Sequence, residues 1–325
     1  MTPPWPNKSF KLEHSVRHVA FSPSGSQLAF CMKNEDQYIV HVWDRWGKET
    51  LLGGHTEPMY GLEYSLDGEN LASGSKDGSI RVWSRESCDT TSSQTYTERS
   101  TRTPKQADKI ILGSRSVFKT LSFSRTDSNL LASGGLNGEI KVWNVKEQAC
   151  VHSFLPGRST SAVRSLFFAG GADIACLAVA HAGSIVRFWR ACFASEVIGE
   201  ADIGGTAPHR VAYFPSGSFR ATSFGSKTGN AGTVELYELE TMNKTQSVVM
   251  PDFTPTHIAV TSDSKQLVVG DRNGRIRLLQ TCDLSIQRDL DTKGEATTLS
   301  SIASDPTCQV LAFGYQDGRL ELRTL

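Results

Sequence analysis

The 325-residue chain lacks most of what would announce a catalytic or membrane protein. Its seven cysteines are scattered, odd in number and without Cys-x-x-Cys spacing, which argues against a disulfide framework or a zinc site and for reduced thiols. Charge of one sign is missing too: 34 Lys and Arg balance 34 Asp and Glu, with no block of like charge, so the electrostatic case for nucleic acid or an anionic membrane is absent. No apolar run approaches the ~18 residues of a membrane span, and Met1 to Lys8 has no apolar signal core; a soluble, intracellular, cytoplasmic or nuclear chain is expected. A phosphate-cradling Gly-rich loop before a helix, a Gly-x-Ser-x-Gly elbow and His-Glu-x-x-His are all absent. The eight histidines do not fall at metal-ligand spacing, so neither a metal, a cofactor nor an enzymatic activity is expected.

What is present is short apolar runs of period two, separated by Asp-Gly and Asn-Gly turns. The clearest stretch is residues 55 to 83. There Met59 to Tyr64, Leu71 to Ser75 and Ser79 to Trp83 read as three strands joined by turns at Asp67-Gly68 and Asp77-Gly78. The unit is an antiparallel meander, and the rest of the chain repeats it. Copies aligned on apolar-x-x-apolar-x-aromatic begin at Val16, Met59, Phe118, Val163, Pro208, Pro255 and Leu299. Their spacings are 43, 59, 45, 45, 47 and 44 residues, the period of propeller blades rather than of ankyrin or leucine-rich units.

With Gly53-Gly54-His55 opening the unit and Trp83 closing it, the stretch resembles a WD (WD40) repeat. The resemblance implies an all-β, seven-bladed β-propeller of four-stranded antiparallel blades. It further implies a structural tetrad of His55, Ser73, Asp77 and Trp83, in which the hydroxyl takes the indole N–H. Elsewhere the pattern decays: Asn137 replaces the tetrad Asp in the third copy, and Leu279 and Arg323 stand where Trp would sit in the sixth and seventh.

The last copy ends at Leu325 after its third strand, so residues 8 to 13 are expected to supply the fourth and close the ring. The long spacing of 59 locates a polar Ser/Thr-rich insertion at 84–107, between the third and fourth strands of blade 2, within one 1–325 domain. Its composition buries too little apolar surface to offset ordering entropy, and a mobile loop on the bottom face is expected. Thr103, between Arg102 and Pro104, reads as a proline-directed phosphosite.

The function implied is a non-catalytic scaffold presenting propeller surfaces to partner proteins in a multi-subunit complex. Candidate contacts on the top face are Arg17, Tyr60, Lys76, Lys119, Arg164, His209 and Arg272, whose cationic tilt suits acidic or phosphorylated peptides. The alternatives are a histone-tail or nucleic-acid reader, or a substrate receptor of a ubiquitin ligase. Trp43-Asp44-Arg45-Trp46 lacks the W-D-x-R order that the last would need. The expected partners are proteins or peptides, with one propeller chain per hetero-complex and no membrane contact.

Overall fold

The structure is a computed structural model, which describes residues 5–34, 37–88, 104–112, 117–154, 162–171, 174–181, 185–190, 197–202, 210–214, 220–228, 231–238, 243–290 and 297–325. Among these, the strands form seven four-stranded antiparallel sheets.

The first sheet comprises Val16–Phe21, Gln27–Asn34, Gln37–Asp44 and Glu49–His55; the second comprises Met59–Tyr64, Asn70–Ser75, Ser79–Ser84 and Lys109–Leu112. The third runs from Phe118–Phe123 to Ala149–Phe154, the fourth from Val163–Gly171 to Val197–Asp202, and the fifth from Val211–Tyr213 to Lys244–Met250. The sixth runs from Pro255–Val260 to Ile286–Leu290. The seventh holds Leu299–Ser304, Val310–Tyr315 and Arg319–Thr324, and its fourth strand is Lys8–Lys11, paired from Lys8 opposite Leu322 to Lys11 opposite Arg319. Six of the seven expected strand starts coincide with observed ones, while Pro208 lies outside the described residues and the fifth sheet begins at Val211.

Alternation explains why these segments are strands, and burial explains why the sheets stack. Second strands such as Asn70–Ser75 and Val310–Tyr315 are buried on both faces, which suits their small and apolar side chains to a place between two neighbouring sheets. The core is therefore a series of seams. Ala29, Val40 and Leu52 of the first sheet pack with Met59, Leu71 and Trp83 of the second, and Ala72, Ile80 and Ile111 of the second pack with Phe118, Leu131 and Trp143 of the third.

The first strand of every sheet packs beside that of the next, and that of the seventh packs beside that of the first. At this last seam Trp5 is buried with Val16, Leu28 and Phe30 on one side and Val310, Ala312 and Leu320 on the other. Its Nε1–H donates to the Gly25 carbonyl at 2.9 Å.

Gly318 shows why one turn position requires glycine. Its φ is +87°, and an added Cβ would lie 2.4 Å from the Leu12 carbonyl oxygen of the N-terminal segment.

The insertion leaves after Ser84 through a single helical turn, Arg85–Cys88, and returns before Lys109. Its middle, with Thr103, lies outside the described residues. The described ends of the insertion lie against the first two sheets, and Arg85 N–H donates to the Glu69 carbonyl at 2.8 Å. Cys88 is buried in the seam between the first two sheets, and Lys105 pairs in parallel with the outer strand of the first sheet: Gly53 N–H donates to Lys105 O at 2.9 Å and Lys105 N–H to Leu51 O at 2.8 Å. An outer strand presents unpaired backbone groups, and here a neighbouring segment satisfies some of them. Gly53 leaves the room, since a Cβ there would stand 2.6 Å from Pro104 Cβ. Among the described residues no helix is long and apolar enough to cross a membrane.

Candidate interaction surface

A repeated irregularity shapes the candidate site. In six sheets the first strand carries a β-bulge at its start: Val16 pairs with Met32 and His18 with Cys31, leaving Arg17 without an opposite residue. Tyr60, Lys119, Arg164, Thr256 and Ser300 are skipped in the same way. The apolar-x-x-apolar spacing of these strands is the sequence trace of the extra residue, because a regular strand would place same-face residues two apart.

A bulge turns both of its residues away from the ladder, and the repeat brings them together. Arg17, Tyr60, Lys119, Arg164 and Arg272 line one cavity of about 520 Å³, with Thr256, Ser300 and Gln316 beside them. Lys76 is not part of it: exposed in its turn, it pairs with Glu57 at 3.4 Å. His209 lies outside the described residues.

Sequence reasoning selected one residue of each bulge and missed its neighbour. His18, His257 and Arg210, at the next position of the first, sixth and fifth copies, also line the cavity. Among the described residues, no Asp or Glu lines it. The electrostatic consequence is visible in the ionisable groups. Burial, followed by the charges of Arg164 and Arg210, lowers the Lys119 ammonium below its ordinary range. Burial, with Arg210 and Arg17 adding to it, holds His18 at about 3, so its imidazole is neutral at pH 7.

Below this mouth a second cavity of about 500 Å³ continues between the first strands, sharing His18, Tyr60, Arg210 and His257 and lined further by Ala20, Gly61, Leu121 and Ala259. Glu63 lines it as well. Its carboxylate accepts the Phe123 N–H at 3.0 Å and stands 3.9 Å from Arg125, but burial dominates and raises its pKa to about 7.

Away from the mouth, the proposed tetrad is three-quarters connected. His55 Nδ1–H donates to Asp77 Oδ2 at 2.8 Å, and Ser73 Oγ lies 2.8 Å from Nε2, which fixes the tautomer and makes the hydroxyl the donor. Burial lowers the His55 pKa. Burial acts to raise Asp77, but hydrogen bonds from His55 and Ser79 outweigh it and hold the carboxyl well below its usual range.

The expected Trp83 bond to Ser73 is not made. Trp83 Nε1 is buried without a hydrogen-bond partner, its ring edge-on to His55 at 6.4 Å. In the third sheet the equivalent bond is made: Trp143 Nε1–H donates to Ser133 Oγ at 2.8 Å.

In the first sheet the Trp has a different acceptor: Trp43 Nε1–H donates to Glu49 at 2.9 Å, and the same carboxylate takes His41 Nδ1 at 2.6 Å. Each group buries polar atoms in hydrogen-bonded pairs between strands of one sheet, which is structural work.

Comparison with known proteins agrees with this architecture. Residues 47–84 and 113–144 match the family described as WD domain, G-beta repeat. The chain is 26% identical over 313 residues to the intraflagellar transport protein 122 homolog of Xenopus tropicalis, covering 86% of this chain and 25% of that protein. It is 32% identical over 102 residues to cell division cycle 20.1, cofactor of APC complex, of Arabidopsis thaliana (31% of this chain, 20% of that protein). Over 190 residues it is 27% identical to the periodic tryptophan protein 2 homolog of Dictyostelium discoideum (55% and 17%). The chain thus spans about a quarter or less of the length of these relatives. Strand order, turn chemistry and sequence similarity converge: the chain carries WD repeats at 47–84 and 113–144 and is a WD-repeat protein.

Proposed function

We propose that the seven sheets are the blades of one closed seven-bladed propeller, residues 1–325, sealed by the N-terminal strand, and that the molecule is a non-catalytic scaffold for partner proteins inside the cell. The relatives' names support the assembly role, since one is an intraflagellar transport protein and another a cofactor of the APC complex. On this reading the cation-lined mouth is the docking face, and an acidic segment of a partner lies across it. Tyr60 supplies the aromatic anchor, and Arg17, Arg164 and Arg272 the bidentate forks.

One observation carries the proposal. Basic side chains from different sheets line a single concave surface that has no acidic residue among its described lining. The test is charge reversal: Arg17→Glu, Lys119→Glu and Arg164→Glu combined, with capture of partners from the native cell extract quantified by mass spectrometry. Selective loss of acidic partners is expected. An unchanged capture profile would remove the mouth from the reading and leave the sides and underside of the propeller as docking faces.

A further inference from the structure

The mouth has properties that an extended acidic peptide does not fully match. Among the described residues Arg17, Lys119, Arg210 and Arg272 have no carboxylate partner, and all four line the same cavity with Arg164. Arg17 and Lys119 lie on the first strands of the first and third sheets, Arg210 just before that of the fifth, and Arg272 in the turn after the second strand of the sixth, so the cations converge from several directions instead of forming one basic edge. Of these cations Arg210 lines both the mouth and the channel beneath.

Charge density then selects the ligand class. A sphere of 520 Å³ is about 10 Å across, within the range of small-molecule sites. An extended chain delivers one carboxylate per ~3.3 Å at best, so five charges need about 17 Å of strand, and side chains would alternate away from the site. A phosphate monoester carries about −1.5 to −2 on three oxygens, so about three phosphates on one compact framework balance five cations within the available width. Apolar lining for peptide side chains is confined to Met59, Tyr60 and Leu299.

We propose that the mouth binds a compact small molecule bearing three or more phosphate groups, held by Arg17, Lys119, Arg164, Arg210 and Arg272. This rests on the reading that the mouth takes anions, and not on the scaffold role. Guanidinium forks pair with phosphate oxygens bidentately, Lys119 supplies a point charge, and neutral His18 lines the same surface as a hydrogen-bonding group, with His257 beside it.

The experiment is isothermal titration calorimetry on the full chain near physiological salt with four probes. These are myo-inositol hexakisphosphate, inorganic triphosphate, a doubly phosphorylated peptide and the matching glutamate peptide. The hexakisphosphate is expected to bind at one site per chain, at least tenfold tighter than either peptide. The pair Lys119→Gln and Arg210→Gln should weaken it at least tenfold, and the exposed Arg272→Gln, which should fold normally, about threefold. Thermal melts establish folding, and if the double variant does not fold, Arg272→Gln and Arg17→Gln decide.

Absence of hexakisphosphate binding, or binding indifferent to these variants, overturns the inference. A phosphopeptide that binds more tightly than the hexakisphosphate also overturns it, giving the site to a protein partner. If the glutamate peptide alone binds and the same variants weaken it, the inference falls and the docking reading survives; if no probe binds, both fall.

Discussion

Replacing Trp5 by Ala tests whether the first residues are part of the fold's closure or an appendage to it. Trp5 is 3% exposed and sits between side chains of the first and seventh sheets. Its ring meets Phe21 edge-on at 5.7 Å, lies beneath the Arg45 guanidinium at 5.8 Å, and donates its N–H to the Gly25 carbonyl. Truncating a buried Trp to Ala costs about 3–5 kcal/mol, from lost transfer energy and the cavity left behind.

For a chain of 325 residues the unfolding entropy scales to about 0.7 kcal/mol/K, so ~4 kcal/mol lowers Tm by about 6 °C. Trp46 is the internal control: it is 58% exposed in a turn, and Trp46→Ala should cost less than ~0.5 kcal/mol. Scanning calorimetry of the two variants beside the parent measures both. A Trp5→Ala melt within a degree of Trp46→Ala would refute the seam, and with it the role given to the strand Lys8–Lys11.

Four further outcomes follow from the polar groups. His55→Ala should destabilise by about 2–4 kcal/mol in denaturant melts, because it leaves Ser73 and the Asp77 carboxylate without their partner. Asp77, held below its usual range, contributes stability that is present above the unfolded carboxylate pKa and lost as pH falls. Asp77→Asn should therefore flatten the acid limb of the stability profile; an unchanged limb would be the contrary result. Glu63 has the opposite sign. With a folded pKa of about 7 the native state holds more protons than the unfolded state between pH ~4.5 and 7, so stability declines as pH rises through that window. Glu63→Gln should gain on the parent at pH 8 relative to pH 5 in paired urea titrations. Trp143→Phe should cost about 1 kcal/mol more than Trp83→Phe, since only Trp143 uses its N–H; equal costs would show that Trp83 has an unseen acceptor.

The sequence by itself determined the strands and their copies, because period-two alternation and Asp-Gly or Asn-Gly turns are local facts that the backbone must obey. The apolar-x-x-apolar spacing even encoded the bulge that aims Arg17, Tyr60, Lys119 and Arg164 towards the cavity. Local patterning could not say which residues would share that cavity. Lys76 carries the same charge as Lys119 and was indistinguishable from it in the chain, yet it ends beside Glu57, and Arg210, which the alignment did not single out, lines the cavity.

Nor could spacing foresee that Trp83 Nε1 would be left without an acceptor, or that Lys105 would lie along the first sheet. Those outcomes depend on competition between partners brought together from distant parts of the chain. Only the packed tertiary structure, which sets who is within hydrogen-bonding distance of whom, decides that competition.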